Sequence, residues 1–141
     1  MLKNARTLRI EWGDCDPAGI VFYPRYFAMF DHSTSTLIAK ASGLTQYELF
    51  QTYDFAGYPM VDTRARFMIP CRFGDDVAIE SAFTKIGRSS FEIEHRLFKN
   101  SELCLEGFET RVWVGRDPQD ASKIKSKPIP DDLVTKFRAN S

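Results

Sequence analysis

The 141-residue sequence has no excess of charge of either sign, because 19 Lys and Arg balance 19 Asp and Glu. Nucleic-acid binders usually carry a basic excess or stripe, and none is present globally. A local basic patch for a phosphorylated ligand remains compatible with this balance. Cysteine is scarce: Cys15, Cys71 and Cys104 are odd in number, widely spaced and free of any C-x-x-C pair. That pattern argues against a disulfide framework and a zinc knuckle, and fits a reducing compartment. No apolar run approaches the roughly 18 residues that span a membrane. The basic residues Lys3, Arg6 and Arg9 are not followed by the apolar stretch of a secretory signal. The expected setting is therefore cytoplasmic, with neither nucleic acid nor membrane as partner. Histidine is limited to His32 and His95.

Apolar residues make up 43% of the chain and include 12 Phe, enough for a core without covalent staples. The length suits one domain, residues 1–141, with a polar C-terminal tail from about residue 117, since a domain typically takes about 100–200 residues. Thr7 to Trp12 alternates apolar and polar residues, which predicts a half-buried strand. Gly13 to Gly19 then breaks the pattern with two Gly, one Pro and two Asp, the chemistry of a loop.

A helix is predicted over residues 24–42. Pro24 suits its first turn, Tyr26, Phe27, Phe30, Ser33, Leu37, Ile38 and Ala41 recur at helical spacing, and Gly43 is a natural stop. A short second helix over 44–53 would be capped by Thr45 with Glu48 three residues on. From Tyr58 the period becomes two. Strands are predicted at about 61–69, 77–86, 91–97 and 103–114, with turns at 70–76 and 87–90. A short helix after Pro130 closes the chain. Strand, long helix and four hairpin-linked strands describe an α+β, two-layer arrangement with an antiparallel sheet. One helix covers such a sheet incompletely, so oligomerisation is expected.

The segment richest in chemistry runs Gly13-Asp14-Cys15-Asp16-Pro17-Ala18-Gly19-Ile20-Val21-Phe22-Tyr23-Pro24-Arg25-Tyr26. It sets two carboxylates and a thiol directly before a helix N-terminus, where unpaired N–H groups and a partial positive charge gather. Two readings follow from the residues alone. Asp-Pro and Asp next to a helix start are ordinary turn and capping chemistry. Alternatively, the helix terminus holds a carbonyl oxygen as charge develops on it, and a carboxylate attacks that carbonyl or activates a water, which is acyl transfer or hydrolysis.

The run G-D-C-D-P-A-G-I-V, followed by Tyr23-Pro24 and Tyr26, closely resembles the active-site signature of the 4-hydroxybenzoyl-CoA thioesterase family, a D-x-D-x-x-G-h-V-h-Y pattern in which h is hydrophobic. The resemblance covers most of the chain: the element order matches the hotdog fold, a curled antiparallel sheet of about five strands wrapped around one long helix. Gly57-Tyr58-Pro59-Met60-Val61 looks like the start of the family's second strand. The resemblance implies hydrolysis of an acyl-coenzyme A thioester without a cofactor. Asp16 matches the catalytic carboxylate, as nucleophile or general base, and Asp14 a structural member of the loop. Tyr23 occupies the position whose backbone N–H polarises the thioester carbonyl. Asp31 matches the residue that meets a substrate phenolic hydroxyl, and Tyr26 accompanies it in substrate binding. The turn Gly87-Arg88-Ser89-Ser90 matches the coenzyme A segment, with Arg88 for a phosphate and Ser89 and Ser90 for further hydrogen bonds. Relatives acting on aliphatic acyl groups often have His where Pro24 stands, so an aromatic acyl group is implied, 4-hydroxybenzoyl above others. The family also implies a homotetramer, a dimer of dimers with sites at subunit interfaces.

Each residue also has a plainer reading. Asp31 suits a solvated helix face and Arg88 an exposed hairpin turn. Lys123, Lys125 and Lys127 suit a solvated tail. Cys15 lies between two carboxylates, which oppose thiolate formation, so it reads as packing rather than as nucleophile. His95 falls on the apolar phase of its strand and reads as a satisfied core histidine. Asp14, Asp16 and His32 match no known metal-ligand spacing. Two other functions stay in view: a short-chain aliphatic acyl-CoA thioesterase, and a hotdog protein that binds acyl thioesters without turnover. Enoyl-thioester hydratases of this fold need a catalytic His that the loop lacks.

Overall fold

The computed structural model describes residues 1–140. Strand β1 (Lys3–Arg9) opens the chain, and a 3₁₀ turn at Trp12–Asp14 leads toward helix α1 (Pro24–Ser42) and helix α2 (Gln46–Thr52). Strands β2 (Met60–Phe67), β3 (Asp76–Ile86), β4 (Ser90–Lys99) and β5 (Glu102–Val112) follow. A small ribbon of β6 (Val114–Arg116) and β7 (Ile124–Ser126) precedes helix α3 (Asp131–Arg138). The five long strands make one antiparallel sheet in the order β1-β3-β4-β5-β2, and α1 lies against its inner face. No helix among the described residues is long and apolar enough to cross a membrane.

The local signals act as their chemistry requires. Pro24 occupies the first turn of α1, and Gly43 ends the helix at φ 71°, a left-handed conformation that costs glycine little. The predicted box caps α2: the Glu48 N–H donates to Thr45 Oγ1 at 3.2 Å, and the Thr45 N–H donates to Glu48 Oε1 at 3.1 Å.

Two expectations need correction. The first strand occupies residues 3–9, not 7–12. Pairing with β3 ends at Arg9 opposite Asp76, and Glu11 and Asp14 cap each other to start the 3₁₀ turn, which leaves Trp12 62% exposed. The earlier half of β1 escaped notice because its inward residues are polar. Arg6 reaches α1 instead, donating to Ser33 Oγ at 2.7 Å and to the Met29 carbonyl at 2.8 Å. The second correction concerns the C-terminal segment. It is polar in composition, yet Ile129, Leu133 and Phe137 are buried, and the Phe137 ring stacks on Phe83 with centroids 4.2 Å apart. The helix after Pro130 is present and closes one end of the core.

Two apolar clusters flank α1. Tyr26, Met29 and Phe30, from its first half, pack with Val21, Cys71, Val77, Ile79, Leu97 and Leu105. Leu37, Ile38 and Ala41, from its second half, pack with Ile86, Phe91, Trp113 and Phe137. Between them lies a polar lock. Thr34 of α1 donates to Glu109 Oε1 of β5 at 2.6 Å, and His95 Nε2 of β4 lies 3.2 Å from Glu109 Oε2. His95 Nδ1 meets Ser81 Oγ of β3 at 2.7 Å, so the lock joins the helix to three strands. Beside it Phe30 stacks flat on the His95 imidazole at 4.9 Å and lies over Gly107 of β5. A methyl at Gly107 would come within 2.5 Å of the Phe30 ring, so only glycine admits the helix this close.

Burial alone would raise the Glu109 carboxyl, but hydrogen bonds from His95, Arg111 and Thr34 outweigh it and hold the group below its ordinary value. A depressed carboxyl stabilises the fold above its unfolded value, about 4.3, and that contribution is lost as the pH falls through the folded value. Glu109→Gln should therefore cost about 3–5 kcal/mol at neutral pH, by leaving a buried guanidinium short of its partner. Urea unfolding at two pH values checks both parts: the deficit should shrink once the pH is below about 4. Gly107→Ala should lower stability by about 1–3 kcal/mol through overpacking against Phe30. The control is Gly13→Ala, whose methyl meets no atom within 4 Å and which should leave the melting curve in place.

Candidate active site

The aspartate-rich loop folds as a tight hairpin. Cys15 pairs with Val21 across it, and the Asp16 N–H donates to the Ile20 carbonyl at 2.9 Å. The Gly19 N–H returns to the Asp16 carbonyl at 2.9 Å, and Gly19 takes φ 80°, which suits glycine in such a turn. Asp16 Oδ1 accepts the Ala18 N–H at 2.8 Å. That fixes the carboxylate rotamer and leaves Oδ2 without a partner among the described residues. Asp14 is spent on structure: its Oδ2 accepts the Glu11 N–H at 2.9 Å, and its carbonyl accepts the Phe22 N–H at 2.8 Å. The two neighbouring carboxylates therefore differ in what they have left to offer.

The hairpin delivers the chain to the head of α1. The Val21 N–H is tied to the Cys71 carbonyl at 2.9 Å, and the Arg25 N–H to the Phe22 carbonyl at 2.8 Å. Pro24 has no N–H. The Tyr23 amide finds no acceptor among the described residues, although the Tyr23 carbonyl receives the Tyr26 N–H at 3.1 Å. A free amide at the positive end of a 19-residue helix is a ready donor to developing negative charge. Beside it runs an apolar groove of about 210 Å³, lined among others by Ile20, Val21, Tyr23, Tyr26, Met68 and Leu105. Asp16 is not in its wall but belongs to the hairpin that supplies Ile20 and Val21. A larger cavity, about 560 Å³, lies on the outer face of the sheet near Ala5 and Ala82, away from this amide.

The ring of Tyr26 borders the groove, but its hydroxyl is committed: it accepts the buried Cys71 N–H at 3.0 Å, and burial pushes the phenol far above its ordinary value. Cys15 is half-buried, with its thiol directed at the Glu11 carbonyl 3.6 Å away. Burial first, then the charges of Asp14 and Asp16, push that thiol above its ordinary value, which opposes a nucleophilic role.

Asp31 projects from the flank of α1 with its side chain 61% exposed, and it is not a free surface carboxylate. Arg111 of β5, only 5% exposed, donates from Nη2 to Asp31 Oδ1 at 2.6 Å. The turn that carries Arg88, Ser89 and Ser90 lies elsewhere. It joins the far ends of β3 and β4, where Ile86 and Phe91 pack against the second half of α1. From Val77, near the hairpin, to Ile86, β3 runs about 30 Å at about 3.3 Å per residue. Arg88 is exposed there, while the Arg88 and Ser89 carbonyls are taken by the N–H groups of Ile129 and Trp113. One chain thus sets Tyr23 and Tyr26 on one groove, with Asp16 in the hairpin that leads to it, and keeps Arg88, Ser89 and Ser90 at the other end of β3.

The sequence reading missed Glu109 and Arg111. A signal existed: in Leu105-Glu106-Gly107-Phe108-Glu109-Thr110-Arg111 both charges fall on the inward phase of the strand, with Leu105 and Gly107. Charges at i and i+2 on a buried phase must pair with each other or with an overlying element.

Comparison with known proteins places the chain in a family. The sequence profile of the Thioesterase-like superfamily matches residues 10–137. The 4-hydroxybenzoyl-CoA thioesterase of Pseudomonas sp. (strain CBS-3) is 27% identical over 131 residues, covering 89% of this chain and 91% of that protein. The 1,4-dihydroxy-2-naphthoyl-CoA hydrolase of Synechococcus elongatus is 28% identical over 106 residues, 69% of this chain and 77% of that protein. Among solved structures, a mutant 4-hydroxybenzoyl CoA thioesterase complexed with 4-hydroxybenzoyl CoA superposes with a TM-score of 0.86 at 26% identity, covering 96% of this chain and 98% of that one. A gentisyl-coenzyme A thioesterase superposes with a TM-score of 0.81 at 29% identity, covering 95% and 99%. The hairpin before a free helix-head amide, the single helix on a curled five-stranded sheet and these similarities have one reading: the chain is a hotdog-fold enzyme of the Thioesterase-like superfamily, the 4-hydroxybenzoyl-CoA thioesterase family of acyl-CoA hydrolases.

Proposed function

We propose that the protein hydrolyses a hydroxylated aromatic acyl-CoA, with 4-hydroxybenzoyl-CoA as the preferred substrate, to the free acid and coenzyme A. The observation that carries this reading is a hairpin that holds an Asp16 carboxylate with one uncommitted oxygen and leads directly into the uncommitted Tyr23 amide at the head of α1. The thioester carbonyl accepts the Tyr23 N–H, and the helix terminus favours the charge that develops on its oxygen. Asp16 attacks the carbonyl carbon or takes a proton from the water that does. The acyl–sulfur bond breaks, an acyl–oxygen bond forms, and coenzyme A leaves as thiolate. If Asp16 is the nucleophile, water hydrolyses the resulting anhydride in a second step.

The aryl preference draws support from three relatives named for hydroxylated aryl thioesters, 4-hydroxybenzoyl, gentisyl and 1,4-dihydroxy-2-naphthoyl. It also draws support from Asp31, whose exposed side chain keeps a second oxygen without a partner among the described residues, an acceptor for a substrate hydroxyl. Arg88, Ser89 and Ser90 hold the coenzyme A phosphates. Because that turn lies about 30 Å along β3 from the hairpin end, at about 3.3 Å per residue, the complete site takes the two from different subunits of a homo-oligomer, a dimer of dimers. The working location is the cytoplasm, where three free cysteines persist.

Thiol release from 4-hydroxybenzoyl-CoA, benzoyl-CoA and a short aliphatic acyl-CoA tests the reading. The hydroxylated substrate should be preferred, and Asp16→Asn should lower kcat by roughly 10²–10⁴-fold. Preference for the aliphatic substrate would discard the aromatic assignment, and full turnover by Asp16→Asn would discard the catalytic residue. Binding of acyl-CoA with no turnover by the folded wild type would leave only a binding function. Cys15→Ser should keep kcat within about twofold, because a thiol raised by burial and two carboxylates takes no part; a large loss would return Cys15 to the mechanism. In single-turnover hydrolysis in ¹⁸O water, label entering the Asp16 carboxylate requires the anhydride and would assign Asp16 as the nucleophile.

A further inference from the structure

Arg111 is an odd use of a guanidinium. Its side chain is 5% exposed beneath α1, and burial alone would lower its pKa, yet Glu109 and Asp31 more than offset this and raise it. Nε donates to Glu109 Oε1 at 2.8 Å, Nη1 to the Tyr58 carbonyl at 3.2 Å and Nη2 to Asp31 Oδ1 at 2.6 Å. Three donors of one rigid fork thus serve acceptors on β5, on the approach to β2 and on α1. Neutralising Glu109 does not require this geometry, because that carboxylate already accepts from Thr34 and pairs with His95. The third donor is spent on a carboxylate that water could have solvated, since Asp31 is 61% exposed.

We propose that Arg111 is a positioning residue for substrate specificity: it holds the Asp31 carboxylate in one orientation, so that the free oxygen meets a hydroxyl on the substrate's aryl ring. The inference rests on the reading of Asp31 as the hydroxyl acceptor. An unrestrained aspartate on an exposed helix flank samples several rotamers and loses that freedom on binding. Arg111 removes the loss in advance. Its own orientation is set from below, because Glu109 is anchored by Thr34 of α1 and by His95, itself held by Ser81. The relay runs from the centre of the sheet to the surface, and it depends on a planar fork that a lysine cannot reproduce.

The test is the ratio of kcat/KM for 4-hydroxybenzoyl-CoA to that for benzoyl-CoA, in wild type, Asp31→Asn, Arg111→Lys and the double variant. Arg111→Lys keeps a charge beside Glu109 but gives up the fork. Both single variants should lower the ratio about tenfold or more, the scale of one charge-assisted hydrogen bond. The double variant should fall no further than the lower single, since the two residues act as one unit. Parallel losses on both substrates, with the ratio unchanged in Arg111→Lys, would make Arg111 a structural residue and overturn the proposal. If Asp31→Asn lowers the ratio and Arg111→Lys does not, the hydroxyl acceptor stands and the positioning role falls. If Asp31→Asn leaves the ratio unchanged, the acceptor reading fails and takes the proposal with it. Thermal melts establish that each variant is folded at the assay temperature. Should Arg111→Lys not fold, Glu109→Gln/Arg111→Gln removes both buried charges together and is read by the same ratio.

Discussion

The position of α1 on the sheet is the constraint from which the rest follows. Phe30 sits where Gly107 leaves room for it and stacks on His95, while Thr34, nearly three turns into the helix, donates to Glu109. Apolar contact alone would let a helix slide or rotate, since Leu, Ile and Phe side chains have no direction to their attraction. The hydrogen-bonded lock has direction, and a buried polar group that loses its partner is costly. Register between helix and sheet is therefore specified at one place, and both chemically distinctive features of α1 inherit it. The Tyr23 amide is at its head and Asp31 on its flank.

The hairpin before α1 solves a different problem. The role proposed for Asp16 asks for a carboxylate exposed enough to meet a substrate and rigid enough to meet it in one geometry. Asp16 is half-buried and bound through one oxygen to the Ala18 amide, in a turn closed by Gly19. Asp14, two residues away, spends its side chain on the Glu11 amide and its carbonyl on Phe22. Two identical side chains take different work because the backbone donors around them differ. The same division appears between Asp31 and Glu109, one at the surface end and one at the buried end of a single guanidinium.

The separation of the hairpin from the Arg88 turn makes the single chain an incomplete description of the proposed site. The two apolar clusters that flank α1 are also the two ends of the molecule, and the resembling segments are divided between them. With one helix covering one sheet face, the single chain does not enclose the groove by Tyr23, which is small, about 210 Å³. In the proposed homo-oligomer, a second subunit supplies what the single chain lacks.

Local chemistry was legible in the sequence. Pro24 and Gly43 marked the ends of α1, Thr45 and Glu48 capped α2, and the period of two found the four later strands. The G-D-C-D-P-A-G run identified the loop and, through its resemblance, the superfamily. These signals are carried by residues close together in the chain, where backbone sterics and hydrogen bonding act directly. What depended on distant residues was not legible. The early half of β1 was hidden because Arg6 points inward toward Ser33, and the C-terminal segment looked like a tail until Leu133 and Phe137 met the core. The partnership of Asp31 with Arg111 spans 80 positions. Only the tertiary structure decided that pairing, because a buried charge is tolerated according to which groups the fold brings against it, and no local pattern encodes that.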